Sequence, residues 1–306
     1  ISMLKEYGTL CGLTQSEIEG RLEPEIALMA ETEVQSYDQT LEVLKKWYNG
    51  YQFNLQSEGV YNPFSTLYAL STQVIDSYWF QTGTPTFLLD LLENFDYPAD
   101  DYESITASKE SFNEIDPDNV GALPILYQAG YLTLKDKDFL GDYQLGYPNF
   151  EVKNSFLKHL LARFGGQNLE QSSSSLNKMI KALYKNDLDT MFVYLQALFK
   201  KIPYLLHISK EAYYHSLFYM VFELVAGKIE AETNYADGRS DAVLHTPDRI
   251  FIFEFKFNKT AKAGLEQIIE KEYALALRDR GKPILGIGVN FCEEFKGLNE
   301  WVSQKL

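Results

Sequence analysis

Along the first hundred residues, apolar positions recur every three or four residues, which is the spacing of an amphipathic helix. The segment Asp38–Tyr48 follows this spacing and ends at a turn pair. Thr14, with Glu17 three positions later, is a pattern that begins helices, and Ser65 follows Pro63 where it can cap another helix. We therefore predict a mostly helical N-terminal region.

Prolines interrupt the middle of the chain, and its pattern changes. Leu123–Leu134 predicts a helix that ends at Gly130 and is followed by a short strand. Asp136–Asp138 predicts a hairpin turn, and Tyr143–Leu145 predicts the return strand. A helix followed by a two-stranded wing is the outline of a winged-helix module. The Gly- and Ser-rich stretch 165–175 predicts a flexible boundary before the chain returns to helical spacing.

The last hundred residues alternate between helical and strand patterns in the order αβββαβ. The predicted elements are, in order, Tyr213–Ala226, Lys228–Tyr235, Ser240–His245, Arg249–Phe257, Ala261–Arg278 and Pro283–Phe291. Such an order predicts a compact unit with a mixed sheet. The whole chain is therefore predicted to be a multi-domain α+β protein. Its predicted segments are a helical region (1–96), a winged-helix-like and helical linker (97–205) and the C-terminal domain (206–306).

Composition supports a folded chain, because 45% of the 306 residues are hydrophobic and 14% are aromatic. The net charge is −15, but residues 206–306 contain 13 basic and 15 acidic residues, so they account for only −2 of it. The acidity argues against nucleic-acid binding for the first two thirds of the chain alone. No stretch resembles a membrane span or a secretory leader, and the two cysteines are far apart in sequence. We expect a cytoplasmic protein with no membrane partner.

The strand Arg249–Phe257 carries the most unusual pattern. Alternation places Glu254 and Lys256 on one face of this strand and four phenylalanines on the other. The preceding strand begins beside Asp241, and a connection with an even number of residues would pair Asp241 with Glu254 on the same face. A three-residue loop would place the two carboxylates on opposite faces. The alternative interpretation is a surface hairpin whose Glu and Lys neutralise each other.

Two carboxylates that share a patch with a lysine favour a particular chemistry. The carboxylates repel each other unless a cation lies between them, and Mg²⁺ or Mn²⁺ prefers oxygen ligands. A nearby lysine can orient a water molecule and stabilise the negative charge that develops during phosphoryl transfer. The pattern therefore indicates a metal-dependent phosphodiesterase.

The spacing of Asp241, Glu254 and Lys256 inside αβββαβ resembles the PD-(D/E)XK nuclease superfamily, which has a restriction-endonuclease-like fold. The helix that follows resembles the A-x-x-Q-I-x-x-x-x-Y helix of one branch. Gln267 and Tyr273 match the Gln and Tyr of that pattern, and Gly264 stands where the pattern has Ala. The resemblance implies that Asp241, Glu254 and the Phe255 carbonyl hold the metal, and that Lys256 and Gln267 are catalytic. Tyr273 is a further candidate.

An acid on the first helix is often an additional metal-site residue in that superfamily. Glu223 is the candidate on that helix, and Glu232 on the first predicted strand is the other, although neither has a motif behind it. Upstream, the segments Trp47–Phe53, Val60–Ser65 and Gly146–Val152 resemble the tail of the AAA-ATPase-like domain that precedes this nuclease-like domain in many bacterial proteins. Read without that resemblance, these aromatic segments are helix-packing and turn residues.

No G-x-x-x-x-G-K-[ST] phosphate loop occurs in the chain, so ATP is not expected to bind it. The resemblance predicts a nuclease that hydrolyses nucleic acid, with DNA as the expected partner and Mg²⁺ or Mn²⁺ as the cofactor. Two other hypotheses stay open at this stage. One is a catalytically silent nuclease fold that serves as a regulatory or binding module of an ATPase. The other is an interaction protein whose aromatic N-terminal half binds a partner.

Overall fold

The computed structural model describes residues 4–82, 89, 104–108, 122–199, 210–229, 241–292 and 297–306. The chain divides into an N-terminal unit, Ile1–Phe156, and a C-terminal unit, Leu157–Leu306. Helices and strands mix in both units, as the sequence predicted. The three predicted segments, with borders at 96/97 and 205/206, stay a prediction of domain organisation. Among the described helices, none has the length and apolar character that crossing a bilayer requires.

The N-terminal unit begins with helices that follow the predicted apolar spacing. Their bounds are α1 (Gln15–Arg21), α2 (Glu23–Glu33), α3 (Tyr37–Tyr48) and α4 (Pro63–Thr72). Thr14 caps α1 in a reciprocal capping box with Glu17, as predicted. The prediction for α4 was wrong in one detail. Its cap is Asn62, whose side-chain oxygen accepts a hydrogen bond from the amide of Ser65 at 3.2 Å.

Strands β1 (Asn49–Tyr51) and β2 (Val60–Tyr61) pair with each other, and a separate three-stranded sheet lies further along the chain. The order of the larger sheet is β3-β5-β4, and its strands are β3 (Ile105–Ala107), β4 (Thr133–Lys137) and β5 (Tyr143–Gly146). Helix α5 (Ala122–Gln128) precedes the β4–β5 hairpin, so the predicted helix and two-stranded wing are both present. Pro98 and Pro117, two of the prolines that interrupt the middle of the chain, lie outside the described residues.

In the described part of the chain, four helices come between the hairpin and the last sheet. They are α6 (Phe150–Phe164), α7 (Leu169–Tyr184), α8 (Leu188–Phe199) and α9 (Lys210–Ile229). The serine run at 172–175 lies inside α7, so the prediction of a flexible boundary there was wrong. Asn168 caps α7 by accepting a hydrogen bond from the Gln171 amide, and buried residues such as Leu176 and Met179 hold the serines in a helix.

The C-terminal unit contains a four-stranded sheet in the order β6-β7-β8-β9. The strands are β6 (Ala242–His245), β7 (Ile250–Phe257), β8 (Ile284–Cys292) and β9 (Gly297–Lys305). β7 and β8 are parallel and connected through α10 (Ala261–Glu270), while β6 and β9 run antiparallel to their neighbours. This is the predicted mixed sheet, and it fits a PD-(D/E)XK fold.

Two predictions in this unit differ from the structure, and one strand was not predicted. The helix expected to run to Arg278 ends at Glu270, because Glu272 has a left-handed backbone (φ 53°), and a short 3₁₀ helix follows at Leu275–Arg280. The sequence pattern did not predict β9 at all. Of the strand expected at Lys228–Tyr235, the first two residues belong to α9 and the rest lie outside the described residues.

The two faces of β7 contact different helices. Phe255 stacks on Phe218 of α9 with ring centroids 4.1 Å apart, and Phe253 meets Phe222 edge-on at 4.9 Å. On the opposite face, Ile250 and Ile252 pack in a cluster with Ile268 of α10. Glu254 and Lys256 belong to this second face by alternation, so they lie on the side that α10 covers.

Candidate active site

A four-residue turn joins β6 to β7. The Thr246 amide donates a hydrogen bond to the Arg249 carbonyl at 2.9 Å, and Ala242 pairs with Phe253 in the antiparallel ladder. This register continues to Asp241, which lies across from Glu254. The turn is thus the even-numbered loop that the sequence argument required. The Asp241 carboxylate also accepts a hydrogen bond from the Phe255 amide at 2.6 Å, which fixes it at the edge of β7.

Glu254 is almost completely buried, with 2% of its surface exposed. Its Oε1 atom accepts a hydrogen bond from the Lys256 ammonium at 2.9 Å, while its Oε2 atom has no hydrogen-bond partner among the described residues. Burial raises the pKa of Glu254, and the negative charge of Asp241 raises it further. The Lys256 ammonium and the Asp241 main chain counteract this rise only in part.

Lys256 joins the strand to the helix. Its ammonium donates hydrogen bonds to Oε1 of Glu254 at 2.9 Å and to Oε1 of Gln267, on α10, at 2.7 Å. The Gln267 amide group in turn lies 3.4 Å from the hydroxyl of Tyr273 and donates to it. An ammonium has three hydrogens, so these two bonds leave Lys256 with the capacity for one more. The structure therefore brings Asp241, Glu254, Lys256, Gln267 and Tyr273 together.

The donor set fits a hard divalent cation. The Lys256 ammonium binds Oε1 of Glu254, whereas Oε2 is buried without a hydrogen-bond partner among the described residues and a second carboxylate lies nearby. Mg²⁺ or Mn²⁺ prefers such oxygen ligands. No group of three His, Cys, Asp or Glu side chains gathers anywhere in the described part of the chain. A cation here would thus rely on Asp241, Glu254, the main-chain carbonyl of Phe255 and water.

The two remaining candidates are Glu223 and Glu232. Glu223 is half-buried on α9, the helix whose phenylalanines pack on the opposite face of the sheet. Its role at the site stays a prediction. Glu232 lies outside the described residues.

Two polar residues beside the site escaped sequence reasoning. Asn290 pairs with Lys256 in the β7–β8 register, and Glu300 pairs with Asn290 in the β8–β9 register, so all three lie in one row on one face. Asn290 is buried, with 1% of its surface exposed. Local sequence gives no signal for either residue, because each binds a main-chain amide more than 30 positions away.

Comparison with known proteins supports this assignment of the C-terminal part. The chain is 31% identical over 319 aligned positions to an "Uncharacterized protein in vnfD 5'region" of Azotobacter chroococcum mcd 1. The alignment covers all of this chain but 59% of that relative, so the chain spans about three fifths of the relative's length. No solved structure matches. Residues 209–301 match the family model described as the PD-(D/E)XK nuclease superfamily, which supports a domain of that superfamily in this part of the chain.

Proposed function

We propose that the C-terminal domain is a divalent-metal-dependent nuclease that hydrolyses phosphodiester bonds of DNA. The observation that carries the proposal is the convergence of Asp241, Glu254 and Lys256 on one face, with the buried Oε2 of Glu254 left without a partner. PD-(D/E)XK nucleases in general use divalent metal ions, which agrees with this donor set.

In this proposal, Asp241 and Glu254 hold Mg²⁺ or Mn²⁺ together with the Phe255 carbonyl. When bound, such an ion polarises the phosphate and lowers the pKa of a coordinated water. Asp241 is already fixed by the Phe255 amide, and Glu254 is fixed by Lys256, so the two ligands need little reorganisation to bind the ion.

Lys256 has a separate task in the proposed reaction. Its ammonium lies beside the carboxylate pair, where it stabilises the negative charge that develops on the phosphate oxygens as water attacks. Gln267 holds the ammonium through its side-chain oxygen, and Tyr273 holds Gln267. Hydrolysis adds the oxygen of water to phosphorus, breaks one ester P–O bond and delivers a proton to the leaving oxygen.

We propose that the N-terminal unit derives from an AAA-ATPase-like domain, on the basis of the motif resemblance described above. In the structure, two aromatic residues of these segments, Trp47 and Phe150, pack on each other with ring centroids 4.8 Å apart, and Tyr61 of another segment is fully buried. Because no phosphate loop occurs in the sequence, we expect no micromolar binding of ATP in calorimetry with this chain. A cytoplasmic location stays a prediction.

The nuclease proposal is tested by incubating the purified chain with single- and double-stranded DNA and RNA, in Mg²⁺, in Mn²⁺ and in EDTA. We expect cleavage of DNA with either metal and none in EDTA. Asp241→Ala and Glu254→Ala should abolish cleavage, because each removes a metal ligand. Glu266→Ala is the matched control, since Glu266 is an exposed carboxylate on α10 that pairs with Lys262 at 3.4 Å.

Two results would overturn the proposal. Wild-type chain that cuts neither DNA nor RNA with either metal would favour a silent nuclease fold that regulates or binds. Metal-dependent cleavage that persists in Glu254→Ala would place the chemistry elsewhere in the chain. Preferential cleavage of RNA would retain the site and change the substrate.

A further inference from the structure

The helix that carries Gln267 is held at its first turn by two side chains from neighbouring strands. Oδ1 of Asn290, on β8, accepts a hydrogen bond from the Lys259 amide at 3.0 Å. Oε1 of Glu300, on β9, accepts a hydrogen bond from the Ala261 amide at 2.7 Å. Both amides belong to the segment that leads from β7 into α10, where no helical carbonyl is available to them.

Hydrogen bonds fix the backbone of this segment, residues 258–261. Asn258 adopts a left-handed backbone (φ 51°), and its amide donates to the Phe291 carbonyl at 2.7 Å. Thr260 then caps α10 by accepting a hydrogen bond from the Ala263 amide at 3.1 Å. The carboxylate of Glu300 at the helix N-terminus also interacts favourably with the helix dipole. The path from Lys256 to the first turn of α10 is therefore fixed by contacts to β8 and β9.

The helix approaches the strands very closely along the same side. A Cβ atom on Gly288 would lie 2.0 Å from the Ala261 carbonyl oxygen, and one on Gly264 would lie 2.9 Å from the Glu254 carbonyl oxygen. Only glycine allows this approach at position 288. Because the backbone of α10 lies directly against β7 and β8 at these glycines, we expect a displacement of its first turn to move the whole helix relative to Glu254.

We propose that Asn290 and Glu300 are positioning residues of the active site, an inference that rests on the proposed nuclease function. They act through α10. By holding its first turn, they set the place of Gln267, whose oxygen fixes the Lys256 ammonium at 2.7 Å beside Glu254. The strand β9 is thus part of the site through the hydrogen bond between Glu300 and the first residue of α10.

The test compares Glu300→Ala and Asn290→Ala, which remove an acceptor, with Glu300→Gln and Asn290→Asp, which retain a side-chain oxygen in the same position. Asn299→Ala is the matched control, because Asn299 is an exposed residue of β9 next to Glu300. Two readouts are taken for each variant. One is the kcat and KM for DNA cleavage, and the other is the NMR signal of the Gln267 side-chain amide.

The alanine variants are expected to lose about 10- to 100-fold in kcat with KM unchanged, because they misplace a charge without removing a substrate contact. They should also shift the Gln267 amide signal. The oxygen-retaining variants and the Asn299→Ala control should resemble the wild type in both readouts. An unmoved Gln267 signal in both alanine variants would overturn the proposal, as would an equal loss in Asn299→Ala.

The signal does not depend on turnover, so the two proposals fail separately. If the wild type cut no nucleic acid while the Gln267 signal shifted in Glu300→Ala and stayed in Glu300→Gln, the positioning role would stand and the nuclease function would fall. If the alanine variants unfolded, Glu300→Gln and Asn290→Asp would test the proposal in their place. A shifted Gln267 amide signal in folded Glu300→Gln would contradict the proposal that Glu300 acts as a hydrogen-bond acceptor.

Discussion

Two glutamates of this protein are buried to a similar degree and serve different purposes. Glu151, in the N-terminal unit, has 0% of its surface exposed, and Glu254, in the C-terminal unit, has 2%. In each, Oε1 is hydrogen-bonded and Oε2 has no partner among the described residues. Burial is the largest cause that raises the pKa of both carboxyl groups.

The neighbours of the two carboxylates differ. Oε1 of Glu151 accepts hydrogen bonds from the amides of Tyr78 and Trp79, at 2.7 and 2.9 Å, so Glu151 holds a distant segment of main chain in place. The charge of a second acid raises the pKa of both carboxyl groups, that of Asp76 for Glu151 and that of Asp241 for Glu254. Only Glu254 also binds an ammonium, which a glutamine holds as well. A buried acid bound to amides stabilises a fold, whereas one that shares its surroundings with an acid and a lysine is equipped to bind a cation.

The largest expected effect distinguishes the role of the Lys256 ammonium from that of the two metal-binding carboxylates. Lys256→Ala should reduce the rate of DNA cleavage by about 100-fold or more, because it removes the charge nearest the reacting phosphate. Binding of Mn²⁺ should persist in this variant, since both carboxylates remain. Cleavage rates and calorimetry on the same preparation check this expectation. A Lys256→Ala protein that cuts at the wild-type rate would contradict the role given to the lysine.

The second expected effect concerns Glu151. Glu151→Ala should lower the free energy of unfolding by about 1–3 kcal/mol or more, because the buried amides of Tyr78 and Trp79 lose their acceptor. Urea unfolding followed by circular dichroism measures the change. Glu151→Gln is the control that retains an oxygen in place of Oε1. If Glu151→Ala were as stable as the wild type, the amide contacts would not hold the segment.

The pH dependence of stability follows from the raised pKa of Glu151, whose ordinary value is 4.5. Between that value and the raised pKa, the folded state retains a proton that the unfolded state releases. The stabilising contribution is therefore complete below about pH 4.5 and is lost as the pH rises through the raised pKa. The difference in unfolding free energy between Glu151→Gln and the wild type should grow in favour of the variant over this range. A constant difference would contradict the shift.

The smallest expected effect sharpens the same comparison at the candidate site. Without metal and at a pH above the raised pKa of Glu254, the Glu254→Gln variant should be about 1 kcal/mol more stable than the wild type, because it removes a buried charge that Asp241 repels. Thermal melting in EDTA measures the difference. Adding Mn²⁺ should raise the melting temperature of the wild type but not of Glu254→Gln. A variant that is less stable than the wild type in EDTA would show that the pairing with Lys256 outweighs the repulsion.

Sequence reasoning succeeded where the pattern was local. The alternation of β7 placed Glu254 and Lys256 on one face, and the four residues after His245 set the register that brings Asp241 opposite Glu254. The resemblance of α10 to a helix of the superfamily singled out Gln267, whose side chain binds Lys256 in the structure. Each of these inferences needs only one or two adjacent elements.

It failed where the determining contact is distant in sequence. β9 carries Asn, Glu, Gln and Lys, so no clear alternation of apolar and polar residues marks it as a strand, and its pairing with β8 defines it. Glu300 binds an amide 39 positions away, and Glu151 binds amides 72 and 73 positions away. The helix predicted to reach Arg278 ended early because of one backbone conformation at Glu272, which apolar spacing does not encode.

The most direct test of the central claim is calorimetric titration of the metal-free chain with Mn²⁺. The account predicts that the wild type binds the ion, that Asp241→Asn and Glu254→Gln lose this binding, and that Glu151→Gln binds it as the wild type does. Because Glu151 is equally buried, the last variant shows whether a buried acid alone suffices. Wild-type binding that survives in Glu254→Gln, or a wild type that binds no Mn²⁺, would contradict the assignment of Asp241 and Glu254 as the cation site.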